Sequence, residues 1–411
     1  TVPKGETTDK VKEVAKAKAE EVANSADFKA KLPDGAKDVE VGAITEEVLA
    51  AITSEAGSNK GTVKVPVTYT VDGVKYTKDA AITVNVVGSN ADPVYVVEGD
   101  KPEVDKVKDA VKPGEGGTVQ DPMEVDLPNT NDKVGATDVT VPTKVKYANG
   151  EETVKVPVTV LPKVTPEGVK VLKDSTGLEE VVKAKATEAA TATTKLPDGV
   201  TVRVKEVKAG TVPATTATGV QTPATAVVEY VKDGNVVATK EVTVPVTVVG
   251  STPKPLVVFE GEKPTADQAK AAVTPGTDGT KGEPTTLPET AGKAGATDVK
   301  VDVPVTYDNG KLTETVSVPV TVLPKPEADE ILVAKNSDKE KAKEKVLAQA
   351  EKAIADGTFT GKLPQGATVT VDNTVPVTIP ELTDDTEVEV TVKYTVPGQD
   401  KPLTTTVKVP V

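Results

Sequence analysis

The sequence has no cysteine, histidine or tryptophan, and its aromatic residues amount to seven tyrosines and three phenylalanines in 411 positions. Without His or Cys there are no zinc sites of the usual ligand types, no thiol nucleophile, no disulfide and no Ser-His-Asp relay, which removes most hydrolase chemistry. So few rings leave little from which to build stacking platforms for sugars or bases. No run of 18 apolar residues and no basic-then-apolar leader occurs. These residues are therefore expected neither to span a membrane nor to carry a signal peptide, and an excerpt of a longer exported protein fits both expectations. Absent cysteine suits a reducing cytosol and a disulfide-free secreted protein equally.

What is present is acidic and repetitive. Lys and Arg number 49 against 63 Asp and Glu, a net charge of -14, which disfavours attraction to nucleic-acid phosphates or anionic lipid. No cofactor or metal is expected, and a monomer is.

Self-similarity organises the chain. "GATDV" occurs at 135–139 and 295–299, "YANG" at 147–150 returns as "YDNG" at 307–310, and "EGDKP" at 98–102 as "EGEKP" at 260–264. These pairs define a B repeat. "KLPDG" at 31–35 and 195–199, with "KLPQG" at 362–366, defines an A repeat present three times. The order A-B-A-B-A places domains at 1–89, 90–164, 165–251, 252–326 and 327–411, roughly 75–90 residues each and adequate for small domains. The joints are short and proline-bearing: Pro93; Pro162 and Pro166 around Thr165; Pro253 and Pro255; Pro324 and Pro326. Fixed φ and extended bias make such connections stiff.

Each A repeat reads as a helix followed by strands. The first helix is expected over 8–26 with Val11, Val14, Val22 and Ala26 inward. In the second, Thr176 and Glu179 form a capping box ahead of Val181, Val182, Ala186 and Ala189. In the third, Ser337 and Glu340 do so ahead of Ala342, Val346, Ala350, Ala353 and Ile354, with Gly357 as the left-handed stop. Phe28, Ala192 and Phe359 each stand four residues before the Leu of Leu-Pro, a plug position that alternates between Phe and Ala. Period-two strands with turns at Asp72-Gly73 and Asp233-Gly234 follow. Each B repeat reads as a strand near 94–97, a short helix after Pro102 or Pro264 (capped by Thr265 and Gln268 in the second copy), a Gly-rich loop, and strands ending in "VPVTVLPK".

That ending puts a proline inside a strand. Pro66, Pro157, Pro245, Pro304, Pro319 and Pro376 all stand in Val-Pro-Val contexts. Proline cannot donate to a ladder, so each marks an edge strand or a bulge, where it also blocks pairing between similar neighbouring domains.

The stretches "VGATDVTVPTKVKYANGEETVKVPVTVLPK" and "AGATDVKVDVPVTYDNGKLTETVSVPVTVLPK" resemble the Rib/alpha-like repeats of Gram-positive surface proteins. The resemblance covers both B repeats, with Lys144 interrupting the usual Pro-Val in the first; the A repeats share only the last hairpin. It implies a truncated immunoglobulin-like fold in tandem, within a wall-anchored adhesin that projects a binding head from the cell. Together these readings give a β-rich α+β fold class: five small immunoglobulin-like or Rib-like domains, each a small sheet with one helix, in an elongated rod.

Several motifs invite other chemistry. "LPNT" at 127–130 and "LPET" at 287–290 approach a sortase signal, but Asn131 and Ala291 stand where Gly is needed, so a loop motif is the better reading. Asp72-Gly73, Asp198-Gly199 and Glu98-Gly99-Asp100 lack the alternating oxygen ligands of a calcium loop and read as turns. A Lys-to-Asn or Lys-to-Asp isopeptide bond would substitute for missing disulfides, yet the sequence does not bring its three members together. Helices with Lys/Glu faces read as solvated faces over a core.

Three functions are open to such a chain. A structural stalk suits repetition, stiff joints and the lack of reactive residues. Repeats that themselves bind a host protein or glycan would use a face such as Tyr69 and Tyr76, or Arg203. An enzyme with an Asp/Glu pair would need a distinctive cleft pattern that repeats do not supply. Adjacent repeats, a host protein or a glycan are the expected partners, at a Gram-positive cell surface.

Overall fold

The computed structural model describes residues 1–52 and 59–411, with side chains for all of these outside 50–61. The chain is β-rich, 20% helix and 37% strand, in several small sheets, and it divides into two compact units.

The first unit holds residues 1–167, 182–209 and 225–244. Its first sheet is ordered Val2–Pro3, Val74–Val87, Asn59–Val71, Lys37–Val41. Helix Thr8–Asn24 lies on it, started by the Thr7 hydroxyl accepting the Lys10 N–H. The buried stripe is Val11, Ala15, Ala19 and Ala23, strictly every fourth residue. Val14 and Val22 only flank it, and Ala26 is exposed in a separate turn, Ala26–Lys29, capped by Ser25. Alanine wins the central positions because a helix can then sit close over Val63, Val65, Ile82 and Val84, and interaxial distance follows side-chain size. A second sheet, from the first B repeat, is ordered Val94–Val97, Gly150–Leu161, Thr140–Tyr147, Thr118–Val119, beside helix Val104–Ala110. A third joins Val200–Val207, Ala224–Lys232 and Asn235–Val244.

The second unit holds residues 168–181, 210–224 and 245–411. Val169–Leu172 pairs in parallel with Val246–Val249. The second B repeat repeats the order of the first, with Leu256–Phe259, Leu312–Leu323, Lys300–Tyr307 and Thr280–Lys281. The last sheet, Thr368–Val371, Glu387–Thr395 and Leu403–Pro410, is covered by helix Lys339–Ala355.

Helix ends depart from the expected capping boxes. Asp338, not Ser337, caps the third helix, accepting the N–H groups of Glu340 and Lys341; a carboxylate so placed also meets the helix dipole favourably. The Ser337 hydroxyl is buried without a partner. Gly357 does not stop that helix in a left-handed turn: Asp356 ends it and at once caps a short helix, Gly357–Thr360. Helix Leu178–Ala192 starts behind Gly177, whose carbonyl takes the N–H groups of Glu180 and Val181, so Thr176 lies one position too far out to cap. There Val182, Ala186 and Ala190 are buried while Val181 is exposed.

The strand prolines are not at edges. Gly150–Leu161 pairs antiparallel with Thr140–Tyr147 as far as Pro157, then parallel with Val94–Val97 from Val158 onward. Pro319 marks the same change of partner, with Lys300 opposite it and Leu256 opposite Val320. Proline sits where one ladder ends and the other begins, the position at which a missing donor costs least. Pro245 divides Asn235–Val244 from Val246–Val249 in the same way. Pro66 and Pro304 lie in inner strands beside very short partners, accepting the N–H groups of Gly42 and Gly282 through their carbonyls. Pro376 belongs to no strand.

Because Ala19 is fully buried beneath the first helix, Ala19→Leu is expected to lift the helix from the sheet and destabilise the first A repeat by about 1–3 kcal/mol, read by urea denaturation.

Candidate functional site: tyrosine-latched joints and an adjoining cleft

Five of the seven tyrosines occupy one structural position, the strand that leads into the final hairpin of each repeat: Tyr69, Tyr147, Tyr230, Tyr307 and Tyr394. Four of them reach back to the segment that joins their repeat to the one before.

Where an A repeat runs into a B repeat, the joint is Gly-Ser. Ser89 Oγ and the Tyr147 hydroxyl share a hydrogen bond of 2.7 Å, while Ser89 N–H donates to Glu152 Oε2 at 2.8 Å. Ser251 repeats this with Tyr307 (2.6 Å) and Glu314 Oε2 (3.0 Å). Burial raises the Tyr307 phenol above its ordinary range, against the lowering effect of the Ser251 contact. The Gly-rich loop explains itself here: a Cβ on Gly117 would lie 2.8 Å from the Tyr147 ring, and one on Gly279 would lie 2.7 Å from the Tyr307 ring. Val87 and Val249, at the end of the A strands, join the hydrophobic clusters of the B repeats that follow.

Where a B repeat runs into an A repeat, the joint is Leu-Pro. Leu161 and Leu323 are fully buried. The Tyr230 hydroxyl donates to the Pro162 carbonyl at 2.5 Å, and the Tyr394 hydroxyl to the Pro324 carbonyl at 2.7 Å. Burial, with Asp100 nearby, pushes the Tyr230 phenol up to about 12; burial raises Tyr394 as well.

The two Leu-Pro joints differ in what surrounds the latch. At the second, Phe259 meets Tyr394 edge-on at 5.1 Å and Phe359 stands 6.4 Å away. At the first, Val97 replaces Phe259, and polar ties take over. Lys232 Nζ donates to the Tyr95 hydroxyl at 2.8 Å, and Lys240 Nζ grips both Asp100 oxygens at 2.6 and 2.7 Å. The plug is also missing. Phe28 and Phe359 are buried on short capped helices, whereas Ala192 is the last residue of an uninterrupted helix and is exposed. Three residues past its end, Lys195 takes φ 62°. The space left is a cleft of about 860 Å³, against about 340 Å³ beside Phe359. Lys163, Lys185, Glu98, Glu188, Thr193 and Ala192 are among its walls.

Other candidate residues are engaged elsewhere. Arg203 Nε and Nη2 donate to Glu229 Oε2 at 3.0 and 2.8 Å across the strand pair, while its side chain stays 63% exposed. Thr130 of "LPNT" is buried, donating to the Asp100 carbonyl and accepting the Gly99 N–H; Thr290 of "LPET" donates to the Glu262 carbonyl. Both motifs are therefore loop ties. Asp72 and Gly73, like Asp233 and Gly234, take positive φ as hairpin turns. Among the described residues no lysine is buried, no cluster of three or more carboxylates has metal-site geometry, and no helix is long and apolar enough to cross a membrane. Of the joint prolines Pro93, Pro162, Pro166, Pro253, Pro255, Pro324 and Pro326, it is Pro162 and Pro324 whose carbonyls accept a latch.

No protein-family model matches the chain, and no curated protein matches it. Among solved structures it aligns with the extracellular domain of protocadherin gamma B4, over 95% of this chain and 78% of that one, at 9% identity and TM-score 0.14. It aligns with the sialic acid binding region of a Streptococcus sanguinis adhesin over 77% and 95%, at 13% identity and TM-score 0.17. An endo-fucoidan hydrolase of glycoside hydrolase family 107 aligns over 52% of this chain and 39% of that one, at 12% identity and TM-score 0.14. Alignments at these scores assign neither a fold nor an activity.

Removing the latch hydroxyl leaves a buried proline carbonyl without its donor, so Tyr230→Phe and Tyr394→Phe are each expected to cost about 1–3 kcal/mol in urea denaturation. The latches also set an alkaline limit. A phenol whose folded pKa lies above its unfolded value keeps its proton after the unfolded chain has lost it, so its contribution is full below pH 10 and is lost as pH rises toward about 12. Melting temperature followed from pH 9 to 12 is expected to fall less steeply in Tyr230→Phe than in the parent chain, which retains that extra titration.

Proposed function

We propose that the chain is a non-catalytic stalk segment of a bacterial cell-wall-anchored adhesin, similar to the Rib/alpha-like surface proteins of Gram-positive bacteria. The five repeats act as successive small domains that hold a distal binding region away from the cell. The observation that carries this reading is the latch: at four successive joints a tyrosine of the later repeat fastens the backbone or serine of the joint before it. Such fastening restricts rotation about the joint, and restriction of joints is what a spacer needs and a flexible tether does not. The sequence adds no His or Cys for catalysis, and a negative surface suits an exported, solvent-facing segment.

A second reading rests on one observation, the cleft beside Ala192. One A repeat lacks the phenylalanine turn of the other two and exposes Lys, Glu and Thr side chains in its place. If that repeat binds a host protein or a polar glycan, Ala192 and Lys195 lie at the contact.

Small-angle scattering tests the stalk. From the scaling of compact domains, a repeat of this size is about 30–40 Å across, and five in line give a maximum dimension of about 150–200 Å. A value below about 100 Å overturns the proposal.

A further inference from the structure

The latch at a Leu-Pro joint always comes from an A repeat, and there are three A repeats. In the second and third, the tyrosine is fully buried and donates to the proline carbonyl of the preceding B repeat. Tyr69 is the corresponding residue of the first. It stands ahead of Asp72-Gly73 as Tyr230 stands ahead of Asp233-Gly234. Its ring is itself buried, 8% exposed, and stacked on Tyr76 with centroids 5.8 Å apart, and no hydrogen bond reaches its hydroxyl among the described residues. Tyr76 is 48% exposed and Val74 is 53% exposed, an aromatic and apolar tip open to solvent.

Strand register fixes what belongs over this tip. Val2 pairs with Val86 as Val171 pairs with Val248, and Lys4 donates to the Val87 carbonyl as Lys173 does to that of Val249. Thr1 therefore holds the place of Lys170. The stretch that covers Tyr230, with Leu161, Pro162, Val164 and Pro166 all buried, has its counterpart position directly ahead of Thr1. Both Leu-Pro-Lys ends within these residues are already seated on Tyr230 and Tyr394, so a second copy of them supplies no free one.

We propose that the Tyr69–Tyr76 face is a docking surface for the Leu-Pro-Lys end of a further B repeat, whose proline carbonyl takes the Tyr69 hydroxyl and whose leucine fills the apolar tip. The inference does not depend on the stalk reading, since the same face would be covered in any array of these repeats. Charge adds a preference. Asp79 stands at the same distance beyond its turn glycine as Lys240 does beyond Gly234, and Lys240 is the residue that grips Asp100. The matching B repeat therefore carries a basic or neutral residue in place of that aspartate.

The test extends the full chain with a copy of residues 86–169 placed directly ahead of Thr1, with Lys at the copy of Asp100. Tetranitromethane nitration is then followed residue by residue by peptide mass spectrometry. Docking is expected to slow nitration of Tyr76, the exposed ring of the pair, at least about fivefold relative to the unextended chain, as for other groups withdrawn from solvent. Replacing the copy's leucine (Leu161→Asp within the copy) restores the fast rate. The added repeat reports its own folding through protection of its copy of Tyr147. If that ring is protected while Tyr76 reacts as in the unextended chain, the proposal is overturned. A second arm titrates a synthetic peptide of residues 156–169 into the unextended chain and follows the ring resonances of Tyr69 and Tyr76. If the added repeat fails to fold, resonances unmoved at millimolar peptide, or moved equally by a scrambled peptide, overturn it as well.

Discussion

A backbone carbonyl taken out of water must find a donor, and in this protein the critical carbonyls are those of Pro162 and Pro324. A joint between two small sheets buries polar main chain at the place where neither sheet's own ladder reaches. Leaving such a group unpaired costs as much as several favourable contacts return. A tyrosine on the later repeat supplies the missing donor and a large apolar ring at once. The leucine ahead of the proline fills the space beside the ring, so the two-residue signature Leu-Pro specifies a socket and its acceptor together. At the Gly-Ser joints the same ring position serves a different acceptor, and the nearby glutamate takes the serine N–H that no strand satisfies.

From this constraint much of the remaining sequence follows. The Gly-rich loops of the B repeats leave room for a ring edge that a methyl group would strike. The proline within Val-Pro-Val ends one ladder so that the strand can start another and continue into the joint. The two Leu-Pro joints then show how one latch tolerates different surroundings. An aromatic cluster of Phe259, Tyr394 and Phe359 excludes water at one. At the other, Lys232 and Lys240 bind Tyr95 and Asp100, and the absent phenylalanine turn leaves a cleft. Exposed ion pairs contribute little to stability individually, so hydrophobic packing is the stronger fastening.

Helix positions, hairpin turns and the loop role of the two Leu-Pro-x-Thr motifs were legible from spacing alone, because each rests on local preferences that act within a few residues. The buried stripe of the third helix was readable because Ala342, Val346 and Ala350 obey a single period; the first was misread because valines drew attention from Ala15, Ala19 and Ala23. Capping failed at Ser337 because Asp338, one residue on, competes for the same N–H groups and carries charge. The edge reading of the prolines failed because a partner change inside one strand leaves no local mark. The latches were missed for the same reason: each joins groups about 60–70 residues apart in sequence. A signal was nevertheless present, since five of seven tyrosines recur at one register, and in a chain so poor in aromatics that repetition is itself informative.

The composition and the joints also fit each other chemically. Fastening built on phenol hydroxyls, proline carbonyls, lysines and carboxylates includes no group whose ordinary pKa lies near neutrality, and histidine, the side chain that would, is absent throughout. Cysteine is absent too, so no joint responds to the redox state of its surroundings. Toward the alkaline end the buried phenols begin to ionise. A protein whose joints were meant to open on a signal would need a switchable group in or beside them. At these joints the fastening groups are phenols, proline carbonyls, serines, lysines and carboxylates, so what ties one repeat to the next is hydrogen bonding and packing set by the sequence itself.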